Sequence, residues 1–113
     1  MTFQPESDMT EQEVRDRVDA AIEENEVVLF MKGNELMPQC GYSQKALELI
    51  QQYRDDYETV DVLDALAEHR AALEDHSGWE TIPQTYVNGE FIGGSDVLAE
   101  LDERGELGDE LSA

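Results

Sequence analysis

Apolar residues along this chain alternate between two rhythms, and the changes of rhythm mark out its elements. Val14, Val18, Ala21 and Ile22 recur at helical spacing. Thr10 and Glu13 stand ahead of them in the relation of a capping box, in which a hydroxyl and a carboxylate each meet an otherwise unpaired backbone N–H. A helix ending near Glu24 is predicted, after a flexible lead-in over residues 1–9. Val27-Val28-Leu29-Phe30-Met31 is a short run of strand formers, read as a strand buried on both faces. Lys32 to Gln39 carries Gly33, Asn34 and Pro38 and reads as a loop. From Gly41 the helical rhythm returns, with Ala46, Leu47, Leu49 and Ile50 on one side. Glu58 to Val62 reads as a second strand. Asp64 can cap a helix running to about Asp75, with Leu66, Ala67 and Leu73 turned inward.

The rhythm then becomes that of a hairpin. Thr85-Tyr86-Val87 and Glu90-Phe91-Ile92 flank Asn88-Gly89, a pair suited to the positive φ angles of a tight turn. Gly93-Gly94 ends the second of these strands, and Ser95 can cap a last main helix to about Arg104. The order α-β-α-β-α-β-β-α predicts a small mixed sheet with helices on both faces. No repeat and no Pro/Gly/Ser-rich linker divides the 113 residues, so one domain is expected, over residues 10–107, with a tail at 108–113.

Charge narrows the class of partner. Seven basic residues against 28 acidic ones give a formal charge of −21. Nucleic acid and anionic membranes select Lys/Arg-rich surfaces, so both are excluded as expected partners. The carboxylates are spread along the chain as a solvated surface, and the lysines are Lys32 and Lys45 alone. Such a surface repels itself in dilute buffer and is screened at molar salt, where the Debye length falls to about 3 Å. A salt-rich cytosol, as in a halophile, is the expected setting. Met1 to Glu13 lacks the basic and apolar regions of a signal peptide, and Val27 to Met31 is far short of a membrane span. A cytoplasmic location is expected.

Chemistry centres on the single cysteine. With Cys40 alone, no intramolecular disulfide can form. Cys40 lies between a Gly/Pro loop and a helix, and a helix N-terminus presents unpaired N–H groups that favour thiolate over thiol. Lys32, leaving the preceding strand, can add a cation. The bland alternative is a small buried hydrophobe. Position alone leaves both open.

Cys40-Gly41-Tyr42-Ser43 resembles the C-G-F-S signature of monothiol glutaredoxins. Phe30-Met31-Lys32-Gly33 and a loop ending in Pro38 precede it, as in that family. Trp79, Thr81-Ile82-Pro83-Gln84 and the run Tyr86 to Asp96 follow at the family's spacing. The likeness extends from about Val14 to Leu107. It implies a thioredoxin-like fold, a four-stranded mixed sheet flanked by helices, with Ile82-Pro83 as a cis peptide beside Cys40. Read without the family, Pro83 is an ordinary trans proline opening an edge strand and Trp79 is core.

The resemblance also implies a glutathione groove. Lys32 and Arg70 would take the glycine carboxylate. Thr81-Ile82 would pair with the ligand's cysteinyl backbone beside Tyr42 and Pro83, and Gly94-Ser95-Asp96 would hold the γ-glutamyl end. Without it, Lys32 and Arg70 are surface charges and Gly93-Gly94 is a strand-to-helix turn. Tyr42, Glu80 and Gln44 depart from the family's usual residues, and another γ-glutamyl thiol could replace glutathione. His69 and His76 match no metal-ligand spacing and are read as surface residues.

Ser43 stands where a dithiol protein has its second cysteine, so exchange must run through a mixed disulfide with an external thiol. A [2Fe–2S] cluster commonly takes four thiolates. Two chains and two small thiols supply them, so Cys40 is the expected metal ligand of a cluster-bridged homodimer. Delivery to apo iron–sulfur proteins, with a BolA-type partner, is the function the resemblance implies. The alternatives are weak glutathione-dependent thiol–disulfide exchange and an adaptor in which Cys40 is idle.

Overall fold

The computed structural model describes residues 9–112. The lead-in expected over residues 1–9 therefore lies almost wholly outside the described residues. Helix α1 spans Glu11–Glu24, followed by strand β1 at Val27–Met31 and helix α2 at Gly41–Gln51. Strand β2 is Glu58–Asp61, and a 3-10 turn at Leu63–Ala65 leads into helix α3 at Leu66–Ser77. Strands β3, Gln84–Val87, and β4, Glu90–Gly93, form the hairpin, and helices α4, Ser95–Glu103, and α5, Leu107–Leu111, complete the chain.

The four strands lie in the order β2-β1-β3-β4. β1 runs parallel to β2, with Phe30 opposite Val60, and antiparallel to β3, with Val28 opposite Tyr86. β3 and β4 pair antiparallel around Asn88-Gly89, where φ is +52° and +83°. The fold is thioredoxin-like, with a mixed sheet between two layers of helix.

All five residues of β1 are buried, and the alternation of a strand explains why. Val28 and Phe30 face Val14, Val18 and Ile22 of α1 and Leu73 of α3. Val27, Leu29 and Met31 face Ala46, Leu47 and Ile50 of α2 and Leu98 of α4. A strand with helices on both sides has no polar face, so its sequence shows no polar alternation. The capping box at the start of α1 is present: Thr10 Oγ1 accepts from Glu13 N–H at 3.1 Å and Glu13 Oε1 from Thr10 N–H at 2.8 Å.

Four expectations are corrected. Asp64 does not cap α3, because the 3-10 turn places Ala65 at that position, and Ala67 is exposed. His69 is not at the surface but fully buried beside Ala65, Ala72 and Leu73. Gly94, not Ser95, is the N-cap of α4, and Ser95 is the first helical residue, nearly buried. Beyond the expected end of the domain at residue 107, α5 places Leu107 and Leu111 in the core with residues of α2 and α4. His76 does lie at the surface side of α3, with Nε2 at 2.7 Å from Asp19 of α1. Among the described residues, no helix is long and apolar enough to cross a membrane.

Candidate active site

Cys40 is the N-cap of α2, with extended backbone at φ −152° and ψ 133°. Its side chain makes no hydrogen bond of standard cap geometry. The Ser43 N–H still acts most strongly on the sulfur and holds the thiol pKa below its usual value. Partial burial opposes this, while the Tyr42 N–H, the Ser43 hydroxyl and the Lys32 charge add to the lowering. Cys40 is partly exposed, so the inert buried reading does not hold. A Cβ at Gly41 would meet open space.

Ser43 does more than stand in for a missing thiol. It is fully buried, and its Oγ accepts from Lys32 N–H at 3.0 Å, tying α2 to the end of β1. The accepting hydroxyl keeps its own proton for Cys40. A residue chosen by the sequence for what it lacks thus supports both the backbone and the thiolate.

The loop before Cys40 is held along its length. Gln39 N–H donates to Lys32 O at 2.9 Å, and Asn34 Oδ1 accepts from the N–H groups of Leu36 and Met37, both at 2.9 Å. Gly33 N–H reaches Asp61 Oδ1 at 3.1 Å, and Tyr57 OH donates to Glu35 at 2.8 Å. Gly33 has φ +88°, and a Cβ there would lie 2.5 Å from Met37 O and 2.6 Å from Gln39 N. At the loop's tip Leu36 is 92% exposed.

A groove of about 540 Å³ brings together Tyr42, Thr81, Ile82, Pro83, Gly94, Ser95 and Asp96 from separate parts of the chain. Its walls are mainly apolar and include Phe91, Ile92, Val97 and Trp79. Trp79 is 60% exposed and so is not a core residue. The Ile82-Pro83 peptide is cis. Gly94 packs so closely on this segment that a Cβ would lie 3.0 Å from Pro83 O. That contact brings the start of α4, with Asp96 exposed in its first turn, against the cis-proline segment. Asp96 is the charged side chain in the lining.

The expected cations stand differently. Lys32 is partly buried and acts on Cys40 by charge, but it is not in the groove lining. Arg70 is partly buried on α3 and is also outside the lining. Glu80 is exposed, and Gln44 donates to Glu48 at 3.3 Å on the outer face of α2. Among the described residues, no three His, Cys, Asp or Glu side chains converge as a metal site.

A cysteine at a helix start and a cis-proline segment leading into β3, in a sheet of this order, are the features of a glutaredoxin, and a glutaredoxin family profile matches residues 27–92. Among curated relatives, a ycf64-like monothiol glutaredoxin of Synechocystis is 48% identical over 84% of this chain and 88% of its own. Monothiol glutaredoxin-5 of Schizosaccharomyces pombe mitochondria is 41% identical, over 88% of this chain and 69% of its own. Reduced apo GrxS14 of poplar superposes with a TM-score of 0.74 at 36% identity, covering 87% of this chain and 89% of that one. A buckwheat glutaredoxin–glutathione complex gives 0.76 at 26% identity, with 90% of each chain covered. The chain belongs to the monothiol glutaredoxin family.

Proposed function

We propose that this protein holds a [2Fe–2S] cluster between two copies of itself, with one γ-glutamyl thiol bound to each, and passes it to apo-proteins. The observation that carries the reading is the state of Cys40: the chain's one thiol, partly open to solvent, with its pKa lowered. A chain with one thiolate supplies one of the four that such a cluster commonly takes. A second copy and two small thiols complete the set, and a BolA-type protein is a candidate replacement for the second copy.

The groove suits such a thiol. The N-terminus of α4 favours the ligand's α-carboxylate and Asp96 its amine. The Ile82 backbone N–H and C=O have no hydrogen-bond partner among the described residues and are free to pair with an extended peptide. Lys32, whose charge already reaches the sulfur, would meet the far carboxylate together with Arg70. The structural neighbour described as a glutathione complex supports glutathione as the first ligand to test.

The lowered thiol pKa also favours a second reading, exchange with protein–glutathione mixed disulfides. The Cys40 thiolate would attack the glutathione sulfur, forming a Cys40–glutathione disulfide and releasing the protein thiolate. A second glutathione thiolate would then restore Cys40 and leave as oxidised glutathione.

Anaerobic reconstitution with iron, sulfide and glutathione separates the two. The expected product is a brown dimer with visible absorbance, lost in Cys40→Ser. A colourless monomer that turns over a mixed disulfide would replace the first reading with the second.

A further inference from the structure

Gln84 is fully buried, and nothing in the chemistry above uses it. A primary amide carries two N–H donors and a carbonyl acceptor, and burying it is costly unless these are met. Here they are met by one short segment and one tyrosine. Gln84 Nε2 donates to Trp79 O at 2.7 Å and to Thr81 O at 3.0 Å. Gln84 Oε1 accepts from Tyr86 OH at 2.8 Å, itself buried. Two backbone carbonyls can be satisfied only by the NH2 end, so the orientation of the amide follows from its partners.

The segment so held is the arm between α3 and β3. It has no ladder partners of its own, and Gly78, in the left-handed region at φ +82°, turns the chain out of α3 into it. Ser77 Oγ fastens its near end, accepting from Trp79 N–H at 3.0 Å and lying 3.1 Å from Trp79 O. On its other side the arm presents Trp79, Thr81, Ile82 and Pro83 to the groove. With the Trp79 and Thr81 carbonyls taken up by Gln84, the Ile82 backbone groups are left unpaired among the described residues beside the groove.

We propose that Gln84 is a positioning residue: its amide, braced by Tyr86, clamps the Trp79–Thr81 arm so that the arm forms a fixed wall of the thiol-binding groove. The ligand-binding half of this statement rests on the function proposed above. The clamp itself does not. Asn is a methylene shorter, Glu has no N–H at neutral pH, and Met or Leu offers neither group, so the role is specific to glutamine.

Trp79 is the chain's one tryptophan and reports on the arm directly. Gln84→Met and Tyr86→Phe are compared with wild type by time-resolved Trp anisotropy without ligand. Fluorescence titration with glutathione and with γ-glutamylcysteine, and the pH profile of Cys40 alkylation, complete the comparison. In Gln84→Met the amplitude of fast local Trp79 motion should rise about twofold and the thiol Kd about tenfold, with the alkylation profile unmoved. Tyr86→Phe should show the same pattern at about a third of the size. Trp79 motion unchanged from wild type in Gln84→Met, or raised motion with a thiol Kd within twofold of wild type, would overturn the proposal. If that variant does not fold, wild-type values in Tyr86→Phe overturn it. Should wild type bind neither thiol, the proposed function falls, and the anisotropy alone decides the clamp.

Discussion

Two segments flank the site, the Lys32–Gln39 loop leading to Cys40 and the Trp79–Pro83 arm lining the groove, and they are held in opposite ways. The Lys32–Gln39 loop is held largely from within, by Asn34 capping its own turn, a glycine at positive φ and a backbone bond across its base. The Trp79–Pro83 arm is held from beneath, by side chains of β3 and the end of α3. The loop's anchors sit mostly in solvent, where a hydrogen bond contributes about 0.5–1.5 kcal/mol net. The arm's main anchor, Gln84, is a buried side chain, and leaving a buried partner unmet costs about 1–3 kcal/mol. A locally held segment can therefore be damaged by its own residues, and a segment held by the core through residues distant from the chemistry.

The sharpest way to break the loop is Gly33→Ala. The added Cβ meets backbone at 2.5 Å and the residue sits at φ +88°, so we expect a loss of about 2–3 kcal/mol. That corresponds to a fall in Tm of roughly 10 °C or more. A Tm within about 2 °C of wild type would show that the loop is looser than described.

Ser43→Ala tests the joint between loop and helix. It leaves the Lys32 N–H without its acceptor, at a cost of about 1–3 kcal/mol. It also removes a hydroxyl that favours the thiolate, so the midpoint of Cys40 alkylation should move up in pH. An unmoved midpoint would assign the thiolate to the helix N–H groups and Lys32 alone.

His69 tests the core under the arm's side of the sheet. Its Nδ1 lies 2.8 Å from Ala65 O, its Nε2 is buried without a partner among the described residues, and burial holds its pKa below the usual value. The unfolded chain then binds a proton near pH 6.5 that the native state refuses. Stability is complete above that pH and falls as pH drops below it, by up to about 1.4 kcal/mol per pH unit from this group. Urea titrations from pH 7 to 5 should show a smaller fall in His69→Leu, and equal falls would remove His69 from the account.

The smallest effect concerns the whole surface. We propose that the charge of −21 makes the fold salt-stabilised. Tm should climb by several degrees from dilute to molar KCl, and a flat or falling Tm would contradict this.

Much of the molecule was legible in one dimension. β1, the Asn88-Gly89 hairpin and the Thr10–Glu13 cap depend on residues adjacent in sequence, and each appears where the pattern puts it. Cys40 at the start of α2 was legible for the same reason. Where the reading missed, the deciding contact came from elsewhere. The 3-10 turn displaced Asp64 from the cap of α3. His69 is polar by type, but its helix face is covered by neighbours that its spacing does not reveal.

The sequence by itself determined which local conformations each segment can adopt and that one thiol is available. Tertiary structure alone decided which residues meet: the groove joins α2, the arm and α4, and Gln84 acquires its role only because Trp79, Thr81 and Tyr86 surround it. The reason is range. Backbone preferences and capping act over a few residues, whereas burial and the satisfaction of buried polar groups depend on surfaces that exist only once the sheet and helices have packed.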